Sequence, residues 1–418
     1  MRRLDLMRQP VSRRAVLVAP ALLALAACGK SASGNSGGSG QPPATARPSA
    51  TAKAAGAPAS PVAQVDFTPK PGLARLEAEK PYFGVNLDWG NDSAAAFSER
   101  LGAPAASYVQ FVTFPLGDAE KQILDQFFAQ VLAQGGLAVV TLEPHVALGD
   151  ITPAMADDLA GFLGGYNARG AGVLVRFAHE MNGSWYAWGQ DPAAYIAAFR
   201  LVAEAVHRAP GRAMLWAPND GGGYPFSGGA YQAKPGTPAY DLLDTNHDGT
   251  LDAQDDPYAP YYPGDDAVDW VGLSLYHWGN HYPWGANVVP EAGKFSDLLS
   301  GNYNGLIGDE RVVPDFYASY AEGHGKPLAI VETAALFNTT VTGADELAIK
   351  QAWWRQVFDP QVAARFPRIK MINWFEWRKA ESEIGGATVD WTATRSQPIR
   401  EAFCADFPRE RFTLGREA

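Results

Sequence analysis

Two glutamates, Glu180 and Glu332, lie far apart along the chain, each at the end of an apolar, β-branched run. Carboxylates that meet across a pocket are the minimum equipment for breaking a glycosidic bond. One protonates the leaving oxygen; the other attacks the anomeric carbon or activates water. The first glutamate sits in RFAHEMNGSWYAWG, Arg176 to Gly189, where three aromatic rings, Trp185, Tyr186 and Trp188, follow it closely. Such rings can hold pyranoses by stacking on their C–H faces. Glu143 and Glu376 are competing carboxylates, and Glu143 reads as a substrate-binding or supporting group. His145, Asn219 and Trp278 are candidate subsite residues, because each also stands at the end of a strand-like run.

Eight such runs organise the chain. They are YFGVNLD (from Tyr82), ASYVQFVTF (Ala106), GLAVVTLE (Gly136), AGVLVRFAHE (Ala171), RAMLWAPN (Arg212), VDWVGLSLY (Val268), KPLAIVET (Lys326) and IKMINWFEW (Ile369). Between them lie segments such as DAEKQILDQFFAQVLAQ and PAAYIAAFRLVAEAVHR, whose apolar residues recur every three or four positions, as in helices. Asp191-Pro192 is an N-cap and first-turn signal. Eight strand–helix units predict a closed (β/α)8 TIM barrel, with a segment inserted between strands 5 and 6. An open doubly wound sheet is the alternative, but no G-x-G-x-x-G loop follows the first strand. A barrel carries its chemistry at the C-terminal ends of its strands, where these carboxylates and aromatics fall. Strands 4 and 7 are three apart in an eight-membered ring, so Glu180 and Glu332 can face across the mouth. Alternation along strand 4 puts Arg176, Ala178 and Glu180 on one face, from which Arg176 could hold a carboxylate ionised. Trp374 is the expected innermost stacking ring, with Trp377 as the alternative.

Composition narrows the partners. Hydrophobic residues make up 47% of the 418, which fits a globular chain rather than a disordered one. The formal charge of −11 repels nucleic acid and anionic lipid, so neither is an expected partner. The first residues, MRRLDLMRQPVSRR, are basic and precede the apolar run Ala15 to Ala27, which is too short for an ordinary membrane span. That run ends in LAAC-G. It resembles a bacterial lipoprotein signal over residues 1–28, with Cys28 lipidated and the membrane touched only through that anchor. Arg13-Arg14 also resembles a twin-arginine export signal. The expected location is the bacterial cell surface, or the medium if the protein is secreted. Residues 29–66, rich in Ser, Gly, Ala and Pro, read as a flexible tether, and the folded part as residues 67–418, acting as a monomer. Cys404 then has no disulfide partner and reads as a small buried hydrophobe.

RFAHEMNGSWYAWG closely resembles the acid/base signature of glycoside hydrolase family 26, in the clan of retaining barrel glycosidases. YYPGDDAVDWVGLSLYHWG (Tyr261 to Gly279) is similar to that family's strand-6 segment, and PLAIVETA (Pro327 to Ala334) to its nucleophile strand. The resemblance covers most of the chain from Tyr82 to Phe403. It implies that Glu180 is the general acid/base and Glu332 the nucleophile. It also implies that His179 orients substrate and nucleophile, that Tyr276 hydrogen-bonds Glu332, and that Trp185 and Trp188 line sugar subsites. The implied activity is endo-hydrolysis of a β-glycan, β-1,4-mannan being commonest in the family. The chain departs from many of the family's mannanases in Phe177-Ala178 before His179 and in Trp185-Tyr186-Ala187-Trp188. That variant also resembles members acting on mixed-linkage β-1,3-1,4-glucan. A surface lipoprotein that only binds glycan is the alternative of another class, and it would need neither glutamate.

A second motif lies in the insertion Gly221 to Asp266. DTNHDGTLDAQD, Asp244 to Asp255, matches an EF-hand loop except that position 12 is Asp255 rather than Glu. Asp244, Asn246 and Asp248 offer side-chain oxygens, Thr250 its main-chain carbonyl, Asp252 a water-mediated contact and Asp255 the closing carboxylate. The expected ligand is a structural Ca2+; the chemistry of the glutamate pair needs no cofactor.

Overall fold

The computed structural model describes residues 79–305 and 312–416. The export signal, Cys28, the tether and the expected start of the fold at residues 67–78 lie outside them. Eight parallel strands close into a barrel in sequence order. They are β1 Tyr82–Leu87, β2 Ser107–Phe114, β3 Leu137–Pro144, β4 Val173–Phe177, β5 Arg212–Trp216, β6 Trp270–His277, β7 Leu328–Ala335 and β8 Ile369–Glu376. β1 pairs with β8 from Tyr82↔Met371 to Leu87↔Glu376, which closes the ring. This is the (β/α)8 architecture that the eight runs predict.

Alternation builds two cores. Val139, Leu174, Leu215, Trp270, Ala329 and Met371 fill the barrel interior. Their sequence neighbours Val140, Val175, Met214, Val271, Ile330 and Ile372 face outward and pack beneath the helices. The helix Pro192–Val206 follows its sequence signals: Asp191 Oδ1 accepts from the amide of Ala194, Pro192 opens the first turn, and Tyr195, Phe199 and Val202 are buried. Removing such a cap costs about 1 kcal/mol.

Two irregularities aim the mouth. The β6–β7 register shifts between Leu273 and Ser274, and the β7–β8 register shifts between Ile330 and Thr333. Ala329 and Val331 belong to the interior core, yet Glu332 also faces inward, where it meets Arg176 and Tyr276. Thr333 faces outward to Trp353. A bulge re-aims one side chain in this way.

After β8 comes an antiparallel hairpin, β9 Arg378–Glu381 and β10 Ala387–Asp390. Trp391, at its base, packs on Tyr276 (5.1 Å) and Trp278 (4.9 Å). The insertion after β5 carries the short helix Pro238–Leu243 and then the Asp244–Asp255 loop. Cys404 is half-buried rather than fully buried: it lies on the helix Gln397–Asp406 with its sulfur near the Arg100 and Leu101 carbonyls. Among the described residues, no helix is long and apolar enough to cross a membrane.

Candidate active site

Arg176 organises the mouth. Its guanidinium is buried, and Nη1 meets Glu332 Oε1 at 2.5 Å. Nη2 donates to Ser274 Oγ at 3.1 Å, and Ser274 lies near enough to Glu180 to lower its carboxyl. One guanidinium therefore holds the β7 glutamate and the hydroxyl that lies beside the β4 glutamate. Tyr276, two residues beyond Ser274 on β6, donates its hydroxyl to Glu332 Oε2 at 2.7 Å. Burial and the neighbouring Glu332 raise the Tyr276 phenol well above its usual range, so it remains a donor.

The path of the chain to Glu180 corrects simple alternation. β4 ends at Phe177, and Ala178 (φ 47°) and Glu180 (φ 53°) are left-handed. Ala178 consequently packs in the outer core instead of sharing a face with Arg176 and Glu180. Left-handed non-glycine residues cost of order 1–3 kcal/mol each and concentrate at functional sites. The strained segment is stapled on both sides. Asn182 exchanges two 2.8 Å bonds with the Asn219 backbone. Gln190 donates to the Pro225 carbonyl and accepts from the Ala233 amide. A Cβ on Gly183 would lie 2.3 Å from the Trp185 ring, and one on Gly189 would lie 2.2 Å from the Gly183 carbonyl. Both glycines are therefore needed for close approach.

Glu180 is half-buried at the mouth. Burial first, and then the Glu332 charge, raise its carboxyl to about 7, against the opposing effects of Arg176, Ser274 and Trp185. Glu143, at the end of β3, is a third carboxyl there. Burial and Glu332 push it up, while Arg176 pulls it down. Two carboxyls thus share one polar mouth with different surroundings, one raised by burial and the other held by a guanidinium and a phenol.

Several expected roles are corrected. Trp185 is half-buried, lies near enough to Glu180 to lower its carboxyl, and packs edge-on against Phe226 of the insertion at 5.0 Å. Trp188 does not line the mouth: it is 5% exposed, and its Nε1 donates to the His179 carbonyl at 2.8 Å. His179 is 2% exposed, and its ring bonds Tyr186 rather than Glu332. Trp374 faces outward from β8 against Phe403 and Phe358, and is 1% exposed. Trp377 follows the inward positions Met371, Asn373 and Phe375; it is half-buried and donates to Asn86 Oδ1 at 3.2 Å. It therefore takes the position at the mouth that Trp374 was expected to occupy. Glu376 also faces outward, where the Ala393 and Thr394 amides saturate its carboxyl, so it is no competitor for catalysis. Asn219 is occupied by Asn182, Trp278 is half-buried against Trp391, and His145 is exposed. Ser274 went unnoticed as a site residue in the sequence, and Tyr186 was read only as one of three stacking rings. The i, i+2 spacing from Ser274 to Tyr276 was the available signal for the first.

These placements predict a clean separation. Trp374→Ala should lower Tm, since emptying a core of a Trp costs about 3–5 kcal/mol, and leave KM unchanged in the folded fraction. Trp377→Ala should raise KM with Tm near the parent. Thermal melts and substrate titrations of the two variants would expose a reversed assignment.

In the calcium-loop motif, Asp244 accepts from the amides of Asp248 and Gly249, and Asp255 from those of Thr245 and Asp252. Asp248 and Asn246 accept from amides within the same turn. Among the described residues no group of three or more His, Cys, Asp or Glu side chains is arranged to hold a metal. Asp252 accepts from the Gln254 amide, and Asn246 and Thr250 offer an amide and a main-chain carbonyl.

Fold and site define a class: a closed parallel barrel with paired carboxyls, one clamped by arginine, at its C-terminal mouth. The comparisons with known proteins agree on the fold. No family model matches the chain. A structure of GH26C from Muricauda sp. superposes with a TM-score of 0.51 at 12% identity, over 80% of this chain and 87% of that one. A modular endo-β-1,4-mannanase from Cellulomonas fimi, of glycoside hydrolase family 26, gives 0.51 at 16% identity, over 82% and 73%. Endoglucanase H of Acetivibrio thermocellus is 24% identical over 251 residues, 56% of this chain. The chain spans about a quarter of that relative's length.

Proposed function

We propose that the chain is a retaining endo-β-glycanase of the family 26 type that works by double displacement. The carrying observation is the contrast between the two carboxyls: Arg176 and Tyr276 bind Glu332, while burial and the Glu332 charge raise Glu180 to about 7. In the first step Glu332 attacks the anomeric carbon, the glycosidic C–O bond breaks, and Glu180 gives its proton to the departing oxygen. In the second, Glu180 takes a proton from water, the water oxygen attacks the anomeric carbon, and the bond to Glu332 breaks. Arg176 and Tyr276 hold the attacking oxygens in place and receive them again as leaving group. Retention requires carboxyls about 5–5.5 Å apart. Proton NMR of the first-formed anomer checks this stereochemistry.

β-1,4-Mannan is the first substrate proposed, supported by the fold shared with the Cellulomonas fimi mannanase. Mixed-linkage glucan is the second reading, favoured by the Endoglucanase H relative and by the Trp185–Trp188 sequence. Reducing-end release from galactomannan, glucomannan, lichenan, β-1,3-xylan and cellulose separates the two. Binding without release from any of them would instead support a non-catalytic glycan-binding lipoprotein.

Two further proposals concern the rest of the chain. Lipidation at Cys28 would anchor the protein at the bacterial surface, so Cys28→Ala should move it from the membrane fraction to the soluble one. A Ca2+ at Asp244, Asn246, Asp248, Thr250, Asp252 and Asp255 rests on their spacing and oxygen chemistry. Chelation should then lower Tm and calcium restore it; an unchanged melt would dismiss the ion.

A further inference from the structure

We propose that Tyr186 is a hydrogen-bond donor directed at the bound sugar, and that His179 acts on the reaction only through it; this rests on the hydrolase reading above. The Tyr186 hydroxyl lies 3.2 Å from His179 Nε2. Its ring lies flat on Trp188, with centroids 4.4 Å apart and planes at 14°. Trp188 is itself fixed to the His179 carbonyl. Phe111, from the interior face of β2, sets its edge against the His179 ring at 5.2 Å. The phenol is thus clamped in one orientation, which an isolated surface tyrosine would lack.

The tautomer of His179 decides which way the phenol donates. Burial, reinforced by the Arg176 charge, holds the imidazole well below its usual range, so it is neutral and carries one N–H. Nδ1 is buried and has no hydrogen-bond partner among the described residues. An orphaned buried N–H is rarer and costlier than an unused lone pair. The proton therefore sits on Nε2, which donates to the Tyr186 oxygen. The phenol's own proton then points away from the imidazole.

After burial, the charges of Glu180, Glu143 and Glu332 raise the Tyr186 phenol well above its usual range. It stays a donor across the working pH. A sugar held between Glu180 and Glu332 presents its hydroxyls to the same space, and Tyr186 supplies a neutral donor among groups that otherwise mostly accept. His179, almost wholly covered, sets the direction of that donor without touching substrate. His179 is thus a positioning residue, and Tyr186 makes the contact.

The test compares the parent with Tyr186→Phe, His179→Gln and the double variant on β-1,4-mannohexaose and lichenan, with histidine tautomers read from 15N chemical shifts. Tyr186→Phe keeps the ring stack. It should lower kcat/KM about tenfold or more, the loss of one buried donor. His179→Gln should do the same, and the double variant should be no worse than the worse single one. The parent should show His179 as the Nε2–H tautomer. Should the glutamine variant fail to fold, Tyr186→Phe and the tautomer still decide. A Tyr186→Phe enzyme within twofold of the parent, multiplicative losses in the double variant, or an Nδ1–H tautomer would overturn the inference while leaving the hydrolase reading intact. A parent that hydrolyses neither these nor the other panel glycans overturns that reading, and this inference with it.

Discussion

Glu332→Ala should lower kcat by at least about 10⁴-fold, because it removes the atom that forms the covalent intermediate. The loss should be nearly the same for every glycan, since it concerns bond formation and not recognition. The substitution also leaves the Arg176 guanidinium buried without its carboxylate partner. Breaking a buried pair from one side typically costs 3–5 kcal/mol, so Tm should fall as well. Glu332→Gln is the needed control: it keeps the shape and can still accept from Tyr276, but cannot attack. Azide can enter the space left by alanine but not that filled by glutamine. Activity restored by azide in the alanine variant alone, with an inverted glycosyl azide as product, would mark Glu332 as the nucleophile. A Glu332→Ala enzyme as fast as the parent removes that assignment.

The second large effect concerns the proton. Glu180→Gln should slow polysaccharide hydrolysis by about 10²–10⁴-fold, the usual contribution of a positioned general acid. Substrates whose leaving group needs no proton should lose far less in the first step. The pH dependence follows from the raised carboxyl. Below about 7 Glu180 carries the proton the leaving oxygen requires; as pH rises through about 7 that proton is lost and the rate falls. The parent's kcat/KM profile should therefore have an alkaline limb near neutrality, and the glutamine variant should lack it. A limb that persists unchanged in Glu180→Gln would move the acid role elsewhere, with Glu143, also raised by burial and by Glu332, the carboxyl to test.

The barrel was legible because its signals are local and repeated: eight β-branched or aromatic runs separated by helical periodicity. Glu180, Glu332, Arg176 and Tyr276 were legible through motif and strand position, and the structure brings all four together. What failed was inference by parity where the backbone breaks period. On β7 the inward Ala329 and Val331 would send Glu332 outward by alternation, and only the bulge between Ile330 and Thr333 turns it in. On β8, Trp374 and Trp377 are equally aromatic, and the strand's parity, fixed by the inward Met371, was hidden in the sequence. After β4 the left-handed Ala178 and Glu180 reassign faces, so Trp188 becomes a buried buttress on which Tyr186 stacks. Short bulges and left-handed residues are set by tertiary closure, and no residue type within them announces the change.

The central claim is that Glu332 bonds to the sugar while Glu180 handles the proton. Incubation with a 2-deoxy-2-fluoro β-glycoside bearing an activated leaving group, followed by peptide mass mapping, tests it most directly. One fluorosugar per chain is expected, attached to the peptide containing Glu332, in the parent and not in Glu332→Gln. A label on Glu180 or Glu143, or rapid turnover of unmodified polysaccharide by a protein that never takes up the label, would contradict it.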